Sequence, residues 1–497
     1  MKQIWKLLLI VILAVAVLVG CTGDTEEQIE TDPPEIEETT PPEETAEPEL
    51  GPHGLRLIRL TEEARDIALE DFDFLAAKLL ENISAEGIFE RRFQITFEAY
   101  LDTLREVIYN MEPIESFTGL VLDQEDRWDG SQTDPQYIAA DYLFSLLGFS
   151  FALDLGGFVH MGPQPRLVYE DQLRSMVMMM HDPDAAIAVM RDIYGADSYL
   201  MPPPLTPEML EDLEEEYNRI NAPAVRWFYD VDTADFDLTV LDPIADAGLR
   251  DPNNLTMEVV EEDRVAYLGV QSFMNNPRFD SETLLPFLEE IQDFEHLIID
   301  LRGNGGGFVI YVQYYFIGMM IGEALEFEFY EFFAAGEDTM GDIKDGLRHI
   351  LNASADEVLS SEAFLEARDF PNMNPVDREI FEYVVPWQLT LTPSGNSVPF
   401  AGDIWVLVDN RSASASEFTA LLALNTGFAT VVGTPTMGVT PTTTMQFFLP
   451  NTGIMFRTDI GHMIDYSGRS VEEFGVQPDI LIAPGEDALE IVLGLIA

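Results

Sequence analysis

Three serines alternate with alanine in Val406–Glu417, VLVDNRSASASE, between two stretches of opposite character. Before them, Trp405–Val408 is a short unbroken apolar run, the pattern of a buried strand. After them, Glu417–Leu424 has apolar positions at helical spacing. The spacing predicts strand, tight turn and helix, with a serine in the turn. A hydroxyl there stands on a rigid corner beside the free N–H groups of a helix start. Acyl transfer needs that arrangement, because the same N–H groups can stabilise an oxyanion. Small residues also let strand and helix pack closely, and serine caps helices, so the turn alone does not establish chemistry. A second stretch, His296–Phe308, HLIIDLRGNGGGF, is another buried strand ending in a glycine loop. Such a loop lets the backbone approach a substrate carbonyl. Neither dinucleotide-binding nor P-loop spacing fits it.

These two stretches resemble the C-terminal processing peptidases, or tail-specific proteases, and the related tricorn core. That family carries D-L-R-x-N-x-G-G, then a strand and S-A-S-A-S-E. A third stretch, Gly468–Ile480, GRSVEEFGVQPDI, is similar to the family's E-x-x-G-V-x-P-D ending. The resemblance covers the last half of the chain well and the helical N-terminal part loosely. It implies an α/β fold, a spiral β-sheet peptidase core preceded by a mostly helical domain. It implies Ser414 as nucleophile, Ser412 and Ser416 as supporting residues, and Ala415 with Gly306, or an adjacent glycine, as the oxyanion hole.

The chain departs from the family at the base. Members with a Ser/Lys dyad carry a lysine after a glycine downstream of the serine. Here the matching segment is Gly433–Thr442, GTPTMGVTPT, and Val439 follows Gly438. Beyond the first six residues the only lysines are Lys78 and Lys344. Valine cannot take a proton. The site is either silent or of the tricorn type, in which a histidine activates the serine. His160, just past a glycine pair that ends a long helical pattern, is the candidate base. Glu472, in the third motif, is the candidate orienting carboxylate. His462 is the rival base, by its nearness to Glu472 in sequence. Three functions follow: a serine peptidase acting on peptides or protein tails, a non-catalytic module binding peptide or lipid, or a structural envelope protein that does neither. No metal site or cofactor is read from the spacing of His, Asp and Glu.

The segments that must carry these residues are less uniform. Met1–Gly20 has Lys2 and Lys6 before the apolar run Leu7–Val19, the pattern of a signal segment. Leu18-Val19-Gly20-Cys21 looks like a lipobox, and Cys21 is the chain's one cysteine. This predicts a lipid anchor on the extracytoplasmic face and no internal disulfide. Between Asp24 and Glu49 there are 12 acidic residues and no basic one, so residues 21–55 read as a disordered tether. The formal charge of −64 over 497 residues argues against nucleic acid as a partner. It leaves lipid as the expected membrane contact, with the oligomeric state open.

A helical domain is expected over 56–221, with helices from Thr61, at Phe97–Tyr109, Tyr137–Leu155, Asp182–Tyr194 and Pro207–Ile220. A connecting segment over 222–255 and a core over 256–497 follow. In the core, strands are expected at Arg264–Phe273 and Leu297–Asp300, and helices at Asp280–Ile291 and Phe308–Ile321. Phe327–Phe400 reads as a variable insertion.

Overall fold

The structure is a computed structural model that describes residues 49–122, 124, 126–154, 161–181, 214, 217–231, 250–334, 336, 359–483 and 485–497. The expected signal segment, Cys21, most of the tether, His160 and the helix at 182–194 lie outside the described residues. So does all but the end of the helix expected over 207–220.

The packed chain begins earlier than the tether reading placed it. Leu50 bridges Arg56, the Gly51 N–H donates to Leu55 O at 2.8 Å, and the His53 N–H donates to Glu115 Oε1 at 2.8 Å. His53 therefore belongs to the helical domain. There, Thr61 caps the helix Glu62–Asn82 by accepting the Ala64 N–H at 3.2 Å. Ala64, Ala68, Phe72, Leu75 and Leu79 line its buried face, three and four residues apart. Thr96 caps the helix Phe97–Tyr109 in the same way. After the short helix Thr118–Leu122, a longer one runs Pro135–Leu147 and widens into a π-helical turn over Gly148–Asp154. The Phe117 ring occupies the place a side chain would take at Gly148. Glycine at 148 is what accommodates that ring.

The core is built on six strands in the order Ile480–Leu481, Thr430–Gly433, Asp403–Val408, His296–Asp300, Val265–Val270, Leu255–Glu261. All pair in parallel except the last, which is antiparallel. Successive side chains point to opposite faces, and both faces are covered. Ile299, Val406, Val408 and Val431 pack under the helices Pro277–Ile291 and Ala415–Thr426. Ile298, Leu407 and Val432 pack under Ala488–Leu495. Double burial explains why these strands read as continuous apolar runs. The helix expected over Phe308–Ile321 is present, as a π-helical stretch, Tyr311–Ile317, running into the short α-helix Gly318–Met320.

The described residues of the segment read as a variable insertion are built into the core. It supplies Leu325–Phe333, Leu359–Ser360 and Tyr383–Leu391 to a four-stranded antiparallel sheet with Gly461–Ile464. A hairpin, Thr444–Phe448 and Met455–Asp459, leaves the core and buries Phe447, Leu449, Met455 and Phe456 among the helices. Asp71, fully buried, holds its turn. The Asn451 N–H and Thr452 N–H donate to the carboxylate at 2.9 and 2.8 Å, and the Thr452 hydroxyl donates at 2.6 Å. The helical domain and the core are therefore joined by shared packing and by a carboxylate pairing its lone pairs with obligatory donors.

Candidate active site

Asp403–Val408 pairs in parallel with His296–Asp300, Leu407 lying opposite Asp300. Parallel register brings the two loops that follow to the same end of the sheet, where open α/β sheets build their sites. The Leu301 N–H continues the ladder by donating to Leu407 O at 2.9 Å. The glycine loop and the serine turn then bond to each other. Ser412 Oγ donates to Leu301 O at 2.8 Å, Ser416 Oγ to Asn304 O at 3.0 Å, and the Ala413 N–H to Asn304 O at 3.1 Å. Ser412 and Ser416 are fully buried, whereas Ser414 between them is partly exposed. The outer serines thus hold the loops together and the middle one meets solvent.

Ser414 adopts φ 53° and ψ −116°, a conformation suited to glycine. It stands immediately before the helix Ala415–Thr426, whose first N–H groups have no partner within the helix. A side chain at Gly306 would come within 2.6 Å of Ser414 Cβ and 2.9 Å of the Ala415 nitrogen. Glycine is required at 306 both for that approach and for its φ of 97°. Ser414, Ala415 and Gly306 therefore share one small space. The Gly306 N–H, however, donates to Asn304 Oδ1 at 2.8 Å. Asn304, fully buried, also donates to Val270 O at 3.0 Å. Its side chain braces the glycine loop from within.

Val439 is buried, and its carbonyl accepts the Ser414 N–H at 2.6 Å. The stretch 436–443 that carries it is held by three buried glutamates. Glu417 accepts from the Thr436 hydroxyl, from the Gly438 N–H at 2.7 Å and from the Val439 N–H at 2.8 Å. It also reaches back to the Ser414 N–H at 3.3 Å. Glu472 accepts from the Thr440 hydroxyl at 2.6 Å and the Met463 N–H at 2.8 Å. Glu331 accepts from the Thr443 N–H, from the Thr443 hydroxyl at 2.9 Å and from the Trp387 indole at 2.7 Å. Burial pushes the Glu417 and Glu331 carboxyls up to about 7, against the donors that favour their ionised forms. Nearby Glu472 adds to both upward shifts.

Of the residues singled out in the sequence, Ser414, Ala415 and Gly306 come together. Glu472 lies next to them through Thr440 and Val439. It is 3% exposed and is not a solvated turn residue. Its neighbour Glu473 pairs with Arg91 of the helical domain at 2.7 Å, and Arg92 donates to Glu472 O at 3.0 Å. His160 lies outside the described residues. His462 is fully buried against Phe381; its Nε2 shares a 2.9 Å hydrogen bond with Ser470 Oγ and stands 3.6 Å from Glu472. No hydrogen bond links it to Ser414. Asn304, Glu417, Glu331 and the threonines of 436–443 were not assigned roles from the sequence. Asn304 and Glu417 stand inside the recognised motifs, and the density of threonine after Gly433 marks the third group. Glu331 carries no signal of its own. Among the described residues no group of His, Cys, Asp and Glu is placed to hold a metal ion.

Two consequences are measurable. If Ser414 is strained, Ser414→Gly unfolds in urea at higher stability than Ser414→Ala, by about 1 kcal/mol, since glycine relieves the backbone and both lose the hydroxyl. Equal stability would mean an unstrained corner. For Glu417 the folded carboxyl titrates near 7 and the unfolded one near 4.5, so the folded chain binds more protons between those values. Its contribution is fullest below about pH 4.5 and is lost as pH rises through about 7. The stability of wild type relative to Glu417→Gln should fall across that window by on the order of 3 kcal/mol and then level off. A difference independent of pH would remove the shift.

Residues 264–482 match the profile of peptidase family S41. No curated protein matches the chain. Among solved structures, a candidate peptidase from Parabacteroides merdae is 18% identical, with 61% of this chain and 88% of that one covered and a TM-score of 0.34. A lipoprotein from Streptococcus agalactiae is 14% identical, covering 63% and 94%, with a TM-score of 0.32. The photosystem II D1 C-terminal processing protease is 16% identical, covering 47% of this chain and 49% of that one, with a TM-score of 0.31. The chain thus matches about half the length of that protease. The DLRGNGGG loop and the SASASE corner both lie inside the segment 264–482 that matches peptidase family S41.

Proposed function

We propose that this chain is a serine peptidase, held on the extracytoplasmic face of a membrane by a lipid on Cys21, which hydrolyses peptides or exposed protein tails. The observation that carries the reading is the Ser414 corner. A partly exposed serine in a glycine-like conformation begins a helix and is packed against the backbone of Gly306. In this reading Ser414 Oγ attacks the scissile carbonyl carbon as its proton passes to a base. The negative oxygen takes the Ala415 N–H and an N–H of the glycine loop. For Gly306 to be that second donor, its N–H must leave Asn304 Oδ1. The base then protonates the leaving amine, and water releases the acyl group by the same route in reverse.

His160 is proposed as the base from its position in the sequence, and Glu472 as the group that stabilises the charged site. His462 is the poorer choice, since Ser470 and Glu472 already surround it in the core. A second reading, a non-catalytic module binding peptide or lipid, is favoured by two observations. Val439 stands where a lysine would serve as base, and the Gly306 N–H is already occupied.

Fluorophosphonate labelling of the full chain separates the two. The peptidase reading expects labelling of wild type, none of Ser414→Ala, and a loss of peptide turnover of about a thousandfold or more in His160→Ala. A folded wild type that neither labels nor turns over peptide, yet binds peptide or lipid, supports the module. The anchor is checked separately: Cys21→Ser should release the protein from the membrane fraction, and retention there would contradict a lipid on Cys21.

A further inference from the structure

Of the three glutamates that hold 436–443, Glu417 lies in the serine motif and Glu472 in the motif that ends the core. Glu331 lies in neither. It stands on Leu325–Phe333, in the sheet formed largely by the segment that reads as an insertion. Strands present alternate residues to opposite faces, and Glu331 is the acid among the buried aromatic residues at the end of this one. Burying a carboxylate without a cation is costly, yet it is 2% exposed and, among the described residues, no ion pair reaches it. Its partners account for its presence. Trp387 on the neighbouring strand Tyr383–Leu391 donates from one side, and Thr443 donates both N–H and hydroxyl from the other. Gly461 leaves the room, because a side chain there would collide with the carboxylate.

Thr443 ends the stretch that positions the serine. Its carbonyl accepts the Ile460 N–H at 2.9 Å, so it is fixed on both sides. Toward the serine, the Thr442 N–H donates to Thr440 O at 3.0 Å, a tight turn that leads directly to Val439. Val439 O then holds the Ser414 N–H. Glu331, Thr443, the turn at 440–442, Val439 and Ser414 thus form one continuous chain of bonded groups.

We propose that Glu331 is a positioning residue: from the second sheet it anchors Thr443, and through the turn at 440–442 it holds the Val439 carbonyl against Ser414. It touches no reacting atom. Cutting its bonds frees the far end of the stretch while Glu417 still holds the near end. The serine corner then samples other arrangements at little cost in global stability. Its chemical readout rests on the serine-peptidase reading; its structural readout does not.

The test uses full-length Glu331→Gln, which preserves shape, and Thr443→Val, which removes the hydroxyl donor without altering Glu331. Amide hydrogen exchange is followed over 412–416 and 436–440, and fluorophosphonate labelling of Ser414 is timed in parallel. Exchange at both segments should rise about tenfold or more in Glu331→Gln, and less in Thr443→Val, as expected for one or two lost hydrogen bonds. Labelling should slow by a similar factor, with the melting temperature of Thr443→Val close to that of wild type. Faster exchange confined to 441–443, with 412–416 and 436–440 unchanged in both variants, overturns the inference. Faster exchange at both segments in a wild type inert to the probe upholds the positioning role and removes only the peptidase reading. Should Glu331→Gln not fold, the exchange pattern of Thr443→Val alone upholds or overturns the inference in the same way.

Discussion

The parallel pairing of Asp403–Val408 with His296–Asp300 is the constraint on which the site depends. More than a hundred residues separate the two strands, yet their register sets the glycine loop beside the serine turn. Loops after parallel strands emerge at one edge of the sheet. Here Ser412, Ser416 and the Ala413 N–H tie the two together by three hydrogen bonds to the backbone carbonyls of Leu301 and Asn304, while the buried Asn304 side chain braces the glycine loop itself. A one-residue slip would turn every core side chain of the strand to the wrong face. The apolar packing of Val406, Val408 and Leu407 on opposite faces therefore sets the geometry of the polar site.

A second constraint is electrostatic. The chain is strongly acidic, and three of its glutamates are buried around one threonine-rich stretch. Among the described residues no lysine or arginine side chain forms an ion pair with them. Backbone N–H groups and threonine hydroxyls stabilise them instead, each a short-range donor. Such donors stabilise a carboxylate only when held in place, so the acids and the stretch order one another. Where a lysine would put a cation at the serine, this chain has the Val439 side chain in the core and the Val439 carbonyl on the Ser414 N–H. The acids set the shape of the corner, and position 439 offers no side chain that could take a proton.

The helical domain takes part in the same architecture. Asp71 fixes the hairpin turn that follows the threonine-rich stretch, and Arg91 and Arg92 grip the turn carrying Glu472 and Glu473. The second sheet enters through Glu331. Both lie outside the motifs by which the core is recognised. They bear on it because a loop is only as rigid as the groups that bond its backbone.

Local pattern alone determined much of this. Apolar runs marked the strands ending at Asp300 and Val408, Thr61 and Thr96 marked helix starts, and the SASASE run marked the corner with Ser414 in its middle. These are properties of neighbouring residues, and periodicity and capping act over a few positions. That Gly148–Asp154 and Tyr311–Ile317 would be helical was legible, but their π winding was not, since periodicity over a few residues does not separate it from an α-helix. Nor was the role of Phe327–Phe400, whose strands pair with Gly461–Ile464 far along the chain. Tertiary structure alone decided that His462 is enclosed with Ser470, that Glu472 is buried, and that Asn304, Glu417 and Glu331 brace the serine corner. A buried carboxylate and an exposed one are the same letter. Only the donors that the fold gathers around it distinguish them.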